Sequence, residues 1–327
     1  MPQQMTRDDV RRSRRRRVRD EARTQGGVLS RQQLYAIGLT RWEVEAELRA
    51  ERWRRHGRQT VAVHTGDLGP DAVLWHAVIE AGPRGVLDGV SALAAAGLTG
   101  FTVPAVRVSV PRGARTVRVA GIDIRQTRRL RPSDRVGVGV PRVWPWIAAV
   151  RGALWARTDR EAATLLAMAV QQRITTAERI GVALLDVRRD RRRRFVEMIV
   201  LDLIGGAQSL GELDFAGMAR RHGLPEPDRQ TVRRGRDGRI YLDVVWEAFG
   251  VVVEIDGIHH AFAQNLVNDA LRHNAVSLHK ATVLRLPLLG LRVASEAFFA
   301  QITEALVAGG WTPSDVIRPA GPHPQNV

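Results

Sequence analysis

Residues 240–256 read Ile240-Tyr241-Leu242-Asp243-Val244-Val245-Trp246-Glu247-Ala248-Phe249-Gly250-Val251-Val252-Val253-Glu254-Ile255-Asp256. Two β-rich runs flank Glu247–Gly250, a loop length common in hairpins. Pairing Trp246 with Val251 across that loop sets Asp243 directly opposite Glu254. Period-two alternation then puts Asp256 on the face of Glu254. Directly opposed residues have Cβ atoms roughly 4.5–5.5 Å apart, and like charges so placed destabilise a sheet. Acids on a solvent-facing strand usually have polar neighbours, yet Val245 and Val252 share this face. An acidic pair in such a setting persists when a proton or a cation neutralises it. Oxygen ligands with water access suit Mg²⁺ or Mn²⁺. Asp243, Glu254 and Asp256 are therefore the expected metal ligands. Gly257 lets the chain turn away, and His259-His260 follow beside the cluster.

The string YLDVVWEAFGVVVEIDGIHH, with Asn268-Asp269 and Arg272 downstream, resembles the Vsr-like family of domains of unknown function (family 559) in the PD-(D/E)xK endonuclease superfamily. That family's pattern has a strand Asp, then E-x-D-G-x-x-H, then D-x-x-R on a helix, then a strand ending in Leu-Arg. Asp243, Glu254, Asp256, Gly257, His260, Asp269, Arg272 and Arg285 fill those positions. Upstream, Ser209-Leu210-Gly211-Glu212 resembles the helix that contributes a glutamate, and Gln230 falls where the family often carries Gln before the first strand. The resemblance implies a restriction-endonuclease-like αβββαβ core over residues 196–311, with Asp243 and Glu254 on the metal, helped by the Ile255 carbonyl. Asp256 stands where many superfamily members have lysine. Water activation then falls to the metal, with His260 or Glu212 carrying the proton. Asp269 and Arg272 lie near the site in the family pattern; read alone, they are an i,i+3 surface pair. Lys280, the sole lysine, is a displaced-lysine candidate. Leu271, Ala275 and Leu278 make an inward helical stripe. Thr282–Leu286 reads as a strand, and Phe298, Ile302 and Leu306 mark a closing helix.

At the other end, Ser30 with Gln33 and Thr40 with Glu43 are two capping-box signatures, each opening a short helix. Gly38 separates them. Trp53-Arg54-Arg55-His56-Gly57-Arg58 then leads into the alternating Gln59–Val63. Two capped helices and a basic glycine hairpin describe a winged helix-turn-helix over residues 21–66. Its second helix would present Arg41, Glu45 and Arg49 to the major groove, with Arg54, Arg55 and Arg58 on phosphate. The alternative is a protein-interaction module. The pattern GVLSRQQL…GLTRWEV…L…RWRRHGR resembles the N-terminal domain of AbiEi-type antitoxins, which implies DNA binding and leaves a toxin-type protein partner open.

The chain has 327 residues, 44% hydrophobic and 26% charged, enough for two or three globular domains. Its formal net charge of +16 favours a polyanion, nucleic acid before a membrane surface. All basic residues but Lys280 are arginine, which GC-rich coding also promotes. Zero cysteines exclude disulfides and thiolate metal sites. With no apolar run of the ~18 residues a spanning helix needs and no secretory pattern at the start, a cytoplasmic chain is expected.

Arg11–Arg17 is so dense in like charge that residues 1–20 are expected to form a mobile basic arm, on phosphate or in solvent. Arg188–Arg194 reads as a basic linker over 188–195, and residues 312–327 as a flexible tail. Residues 67–187 form an α+β middle region, with helices at Asp71–Ala81, Val90–Ala96 and Thr158–Gln172 and strands at Val106–Val110 and Gly121–Arg125. Its tryptophans 144, 146 and 155 are read as core. The expected whole is an α/β multi-domain protein, either a DNA-directed, metal-dependent endonuclease or a non-catalytic DNA-binding regulator. An RNA-directed nuclease is a third reading.

Overall fold

In the computed structural model, Arg7–Thr24 form one helix, α1, where a mobile arm is expected. The structure describes residues 7–205, 210, 213–234, 240–257, 263–277 and 283–313. Two things overturn the arm. Val18 and Ala22 are buried with Leu29, Leu34, Ile37, Val44 and Val61. The arginines also find carboxylates: Arg12 with Asp9 and Arg16 with Asp20 along the helix, and Arg14 with Glu43 and Arg15 with Glu47 outside it, at 3.5–3.8 Å. Tertiary burial and counter-charge outweigh the repulsion that the run implies in isolation.

The chain divides into two compact units, Met1–Trp155 and Ala156–Val327. In the first, α2 (Arg31–Ala36) and α3 (Arg41–Arg49) both start with the expected capping boxes, at Ser30–Gln33 and Thr40–Glu43. Strands β1 (Val28–Ser30), β2 (Arg54–Arg55) and β3 (Thr60–Ala62) form an antiparallel sheet in the order β1-β3-β2. Helix α4 (Pro70–Ala81) supplies Glu80 to the β2–β3 turn. A second sheet, in the order β4-β5-β6, joins β4 (Val86–Leu87), β5 (Val106–Pro111) and β6 (Ile122–Thr127). Beside it lie α5 (Gly89–Ala94) and α6 (Pro145–Trp155).

Trp144, Trp146 and Trp155 are not in the buried core. Trp144 and Trp146 stack at 4.9 Å but stay half-buried, and Trp155 is exposed, with the Arg107 guanidinium 4.7 Å from its ring centre. Planar rings satisfied by stacking and by a cation need no apolar shell.

The second unit begins with α7 (Asp159–Gln171), α8 (Ala177–Leu185) and α9 (Arg193–Gly205). The expected basic linker lies inside it, packed rather than loose. Arg192 is buried, donating from Nε to Asp159 at 2.7 Å and from Nη1 to the Ala156 carbonyl at 2.5 Å. Arg193 opens α9 and pairs with Glu197 at 2.9 Å. A charge run marks a boundary only when its charges lack partners, and Arg192 and Arg193 have them.

There follow α10 (Phe215–Arg221), β7 (Arg229–Arg234), β8 (Ile240–Trp246) and β9 (Val251–Asp256). After these come α11 (Ala263–Ser277), β10 (Val283–Pro287), α12 (Leu288–Val293) and α13 (Ser295–Ala308). The sheet order is β10-β9-β8-β7, antiparallel except for the parallel β10–β9 pair. One face is core: Leu242, Val244, Trp246, Val251, Val253, Ile255, Leu284 and Leu286 are at most 1% exposed. Phe215 stacks on Phe299 at 5.5 Å and meets Trp246 edge-on at 6.2 Å. Each such side chain contributes ~1.5–3 kcal/mol on burial, which holds the sheet's other face in place. No helix among the described residues is long and apolar enough to cross a membrane.

Candidate functional site

The β8–β9 register is the one the loop length predicts: Trp246 pairs with Val251 and Asp243 with Glu254. A 3₁₀ turn, Glu247–Phe249, closes the loop, and Gly250 follows at φ 62°, a left-handed conformation that glycine adopts at least cost. Alternation sends Asp243 and Glu254 to the outer face, where their side chains are 21% and 20% exposed.

Flanking strands complete that face. β10 sets Arg285 beside Glu254, and β7 sets Thr231 beside Asp243. One step along, Asp256, Tyr241 and Arg233 line up across β9, β8 and β7. From there Arg233 reaches diagonally to both acids: its Nε donates to Asp243 Oδ2, and its Nη2 to Glu254 Oε1 at 2.6 Å. Its guanidinium lies 4.8 Å from the Tyr241 ring centre. The hydrogen bond that Arg233 donates to Asp243, against an opposing effect of burial and with the charges of Asp243 and Glu254 adding to it, holds the Arg233 pKa above its ordinary value. On the other side, Arg285 Nε stands 3.3 Å from Glu254 Oε2. Asp243 Oδ1 is buried and, among the described residues, has no hydrogen-bond partner.

The expected cation at the acidic pair is therefore, in part, a pair of guanidiniums. Arg233 is the residue of this face that the sequence does not single out. Its signal was a strand: Thr231-Val232-Arg233-Arg234, followed within a few residues by Asp237-Gly238, a hairpin-turn dipeptide.

Other expected residues fall elsewhere. Asp256 sits one pleat beyond Glu254, opposite Tyr241. Residues i and i+2 of a strand are roughly 6.5–7 Å apart, and among the described residues no three Asp, Glu or His side chains gather closely enough to hold a metal ion. Asp256 thus shares the outer face with Asp243 and Glu254 but stands one pleat away from them. Gln230 lies within β7, not before it; paired with Val244, it points away from the acids, and its Nε2 donates to the Leu213 carbonyl at 2.9 Å. Asp269 and Arg272 pair with each other at 3.7 Å, both well exposed on α11, as an i,i+3 surface pair. Glu212, His259, His260 and Lys280 lie outside the described residues, as does the 314–327 part of the expected tail.

In the first unit, Arg41, Arg49, Arg54 and Arg58 are exposed. Glu45 is not presented to a groove. Its Oε1 takes Arg31 at 3.1 Å and Arg55 at 3.0 Å, tying α3 to α2 and β2. The reason is local: two arginines, from α2 and β2, converge on one oxygen of this acid. Arg54 stands 3.7 Å from Asp67. Between α3 and β2 lies an open cleft of about 510 Å³ that includes Leu48, Arg49, Trp53, Arg54 and Arg55.

Glu80 organises the β2–β3 turn. Its carboxylate accepts from the backbone N–H groups of Arg58, Gln59 and Thr60 at 2.9–3.0 Å and from Thr60 Oγ1 at 2.7 Å. Burial raises its pKa, but the bonds from Thr60, Gln59 and Arg58 outweigh that and hold the carboxyl below its ordinary value. His76, which shares Thr60 Oγ1 at 2.9 Å, is lowered by burial, with Glu80 opposing.

No family model and no curated protein matches the chain. Among solved structures, the chain is similar to the crystal structure of RV2827C protein from Mycobacterium tuberculosis. The identity is 16% and the TM-score 0.37, over 59% of this chain and 78% of that one.

Proposed function

We propose that the chain binds DNA through residues 21–66 and hydrolyses phosphodiester bonds at the Asp243–Glu254 pair with the help of Mg²⁺ or Mn²⁺. The observation that carries this reading is Asp243 Oδ1. A buried carboxylate oxygen without a donor costs ~1–3 kcal/mol or more, and here it belongs to an acid placed directly across from Glu254. Two carboxylates with water access fit the way Mg²⁺ is usually held, by one or two acids plus substrate phosphate. A bound cation would supply Lewis acidity toward a phosphoryl oxygen and lower the pKa of a nearby water.

The chain's own residues do the rest. Asp243 and Glu254 set the position on rigid strands, and Arg285, 68% exposed, is free to turn to phosphate. The α10-β7-β8-β9-α11-β10 succession agrees with the αβββαβ order that the endonuclease resemblance implies. The capped α2–α3 pair, the β1-β3-β2 sheet and the exposed arginines support a winged helix-turn-helix reading, in which phosphate contacts dominate affinity.

A second reading is favoured by Arg233 and Arg285. Two guanidiniums already neutralise two carboxylates, which suits a non-catalytic DNA-binding regulator that keeps the sheet without turnover. Supercoiled plasmid and short RNA incubated with Mg²⁺ or Mn²⁺ separate the two. Nicking by wild type and its loss in Asp243→Ala and Glu254→Ala support the nuclease. Identical behaviour of all three proteins selects the regulator, and cleavage of RNA alone redirects the substrate.

A further inference from the structure

On the outer face of the β7–β10 sheet two acids meet two arginines, with Asp256 one pleat away. Asp243 and Glu254 face Arg233 and Arg285. The two guanidiniums are not equivalent. Arg285 touches one oxygen of Glu254 at 3.3 Å and is 68% exposed. Arg233 spans both acids, occupying the space between their carboxylates with two donors. Paired N–H donors on a carboxylate cluster are among the stronger contacts available to a half-exposed charge.

A divalent cation held by Asp243 and Glu254 would compete with Arg233 for the same two carboxylates. With Arg233 still in place, the cluster would pass from neutral to an excess of two positive charges in a partly buried setting, which like-charge repulsion opposes. Moving Arg233 requires no movement of the strand. β7 is the edge of the sheet, the side chain is 40% exposed, and the Tyr241 ring already supports the guanidinium.

We propose that Arg233 is the built-in counter-ion of the Asp243–Glu254 pair, and that a divalent cation binds there only by displacing it. The proposal rests on the metal-site reading above. It makes Arg233 a positioning residue: it keeps the two carboxylates together and charge-matched in the metal-free protein and sets the cation concentration at which the site loads. Asp243 Oδ1, the buried oxygen Arg233 leaves unpartnered, would become available as a ligand once Arg233 has moved aside.

The test is Mn²⁺ binding to the full-length chain, followed by the loss of the free-ion paramagnetic resonance signal. Wild type, Arg233→Gln, Arg233→Lys and Arg285→Gln are compared, with thermal unfolding in EDTA and in Mn²⁺ as the second readout. Removing a competitor that makes two charged contacts is expected to tighten Mn²⁺ binding about tenfold in Arg233→Gln, and less in Arg285→Gln. Arg233→Gln should also melt lower than wild type in EDTA, with the gap closing in Mn²⁺. If Arg233→Gln does not fold without metal, Arg233→Lys carries the test. Its single ammonium cannot span both acids, so it should bind Mn²⁺ more tightly than wild type. Equal affinity in wild type and the Arg233 variants overturns the counter-ion and leaves the metal site standing. No Mn²⁺ bound by any of them, with Asp243→Asn as the blank, overturns the metal site itself.

Discussion

Asn274 clasps the backbone of Arg285. Its Oδ1 accepts from the Arg285 N–H at 2.9 Å, and its Nδ2 donates to the Arg285 carbonyl at 3.0 Å. The side chain is fully buried on α11, and the same Nδ2 meets Gln301 at 3.2 Å. The outer edge of β10 is thus completed by one amide, at the residue whose guanidinium faces Glu254. Asn274→Ala strips both partners from a buried peptide group and should cost about 2–3 kcal/mol. Asn274→Asp, the same shape, loses the donor and buries a charge, so it should cost at least as much. Urea unfolding measures both. A loss below about 0.5 kcal/mol in either would mean that water replaces the clasp.

Arg151 is a second buried hinge of charge, in the first unit. It donates to Asp88 at 3.0 Å and to Asp134 at 2.8 Å, and also reaches the Arg129 carbonyl. All three charged residues are at most 7% exposed. Replacing the pair-forming cation alone strands two buried carboxylates, so Arg151→Leu should lower stability by about 3–5 kcal/mol. Arg151→Lys, unable to bridge both acids, should fall between. A near-neutral Arg151→Leu in denaturant titration would contradict the arrangement.

Glu80 gives a pH signature. Its folded pKa lies below the ordinary value of 4.5, so the group contributes stability that is complete above about pH 4.5 and is lost as pH falls through the folded pKa. Glu80→Gln should therefore be less stable than wild type at pH 7 by about 1–3 kcal/mol. The two melting curves should converge in acid. A gap independent of pH would show that packing, not ionisation, is what Glu80 provides.

The exposed arginines of the β2–β3 hairpin predict a salt dependence. Arg54→Ala and Arg58→Ala should each weaken DNA binding across sequences alike and reduce the log–log salt slope by about 1. Glu45→Gln should do the opposite, because it releases Arg55 from its 3.0 Å pair and frees a cation for phosphate. Gel shifts of the full chain over a salt series check both. An unchanged slope in the arginine variants would remove the hairpin from the DNA interface.

The sequence by itself determines what short stretches decide among themselves. The Asp243–Glu254 pairing follows from a four-residue loop and a period of two. The two helix starts at Ser30 and Thr40 follow from a cap and its partner three residues on. In each case the interacting groups are close in sequence, so spacing alone carries the geometry. Failures have the opposite character. The arginine run of α1 reads as an arm until Val18 and Ala22 find a core and Glu43 and Glu47 arrive from another helix. Arg233 and Arg285 approach the acids from two further strands, Glu80 closes a turn some twenty residues before it, and Asn274 seals a strand edge from α11. Composition does not encode which distant charge meets which. That depends on how the apolar faces stack, since burial aligns the strands and only then do their outer side chains become neighbours.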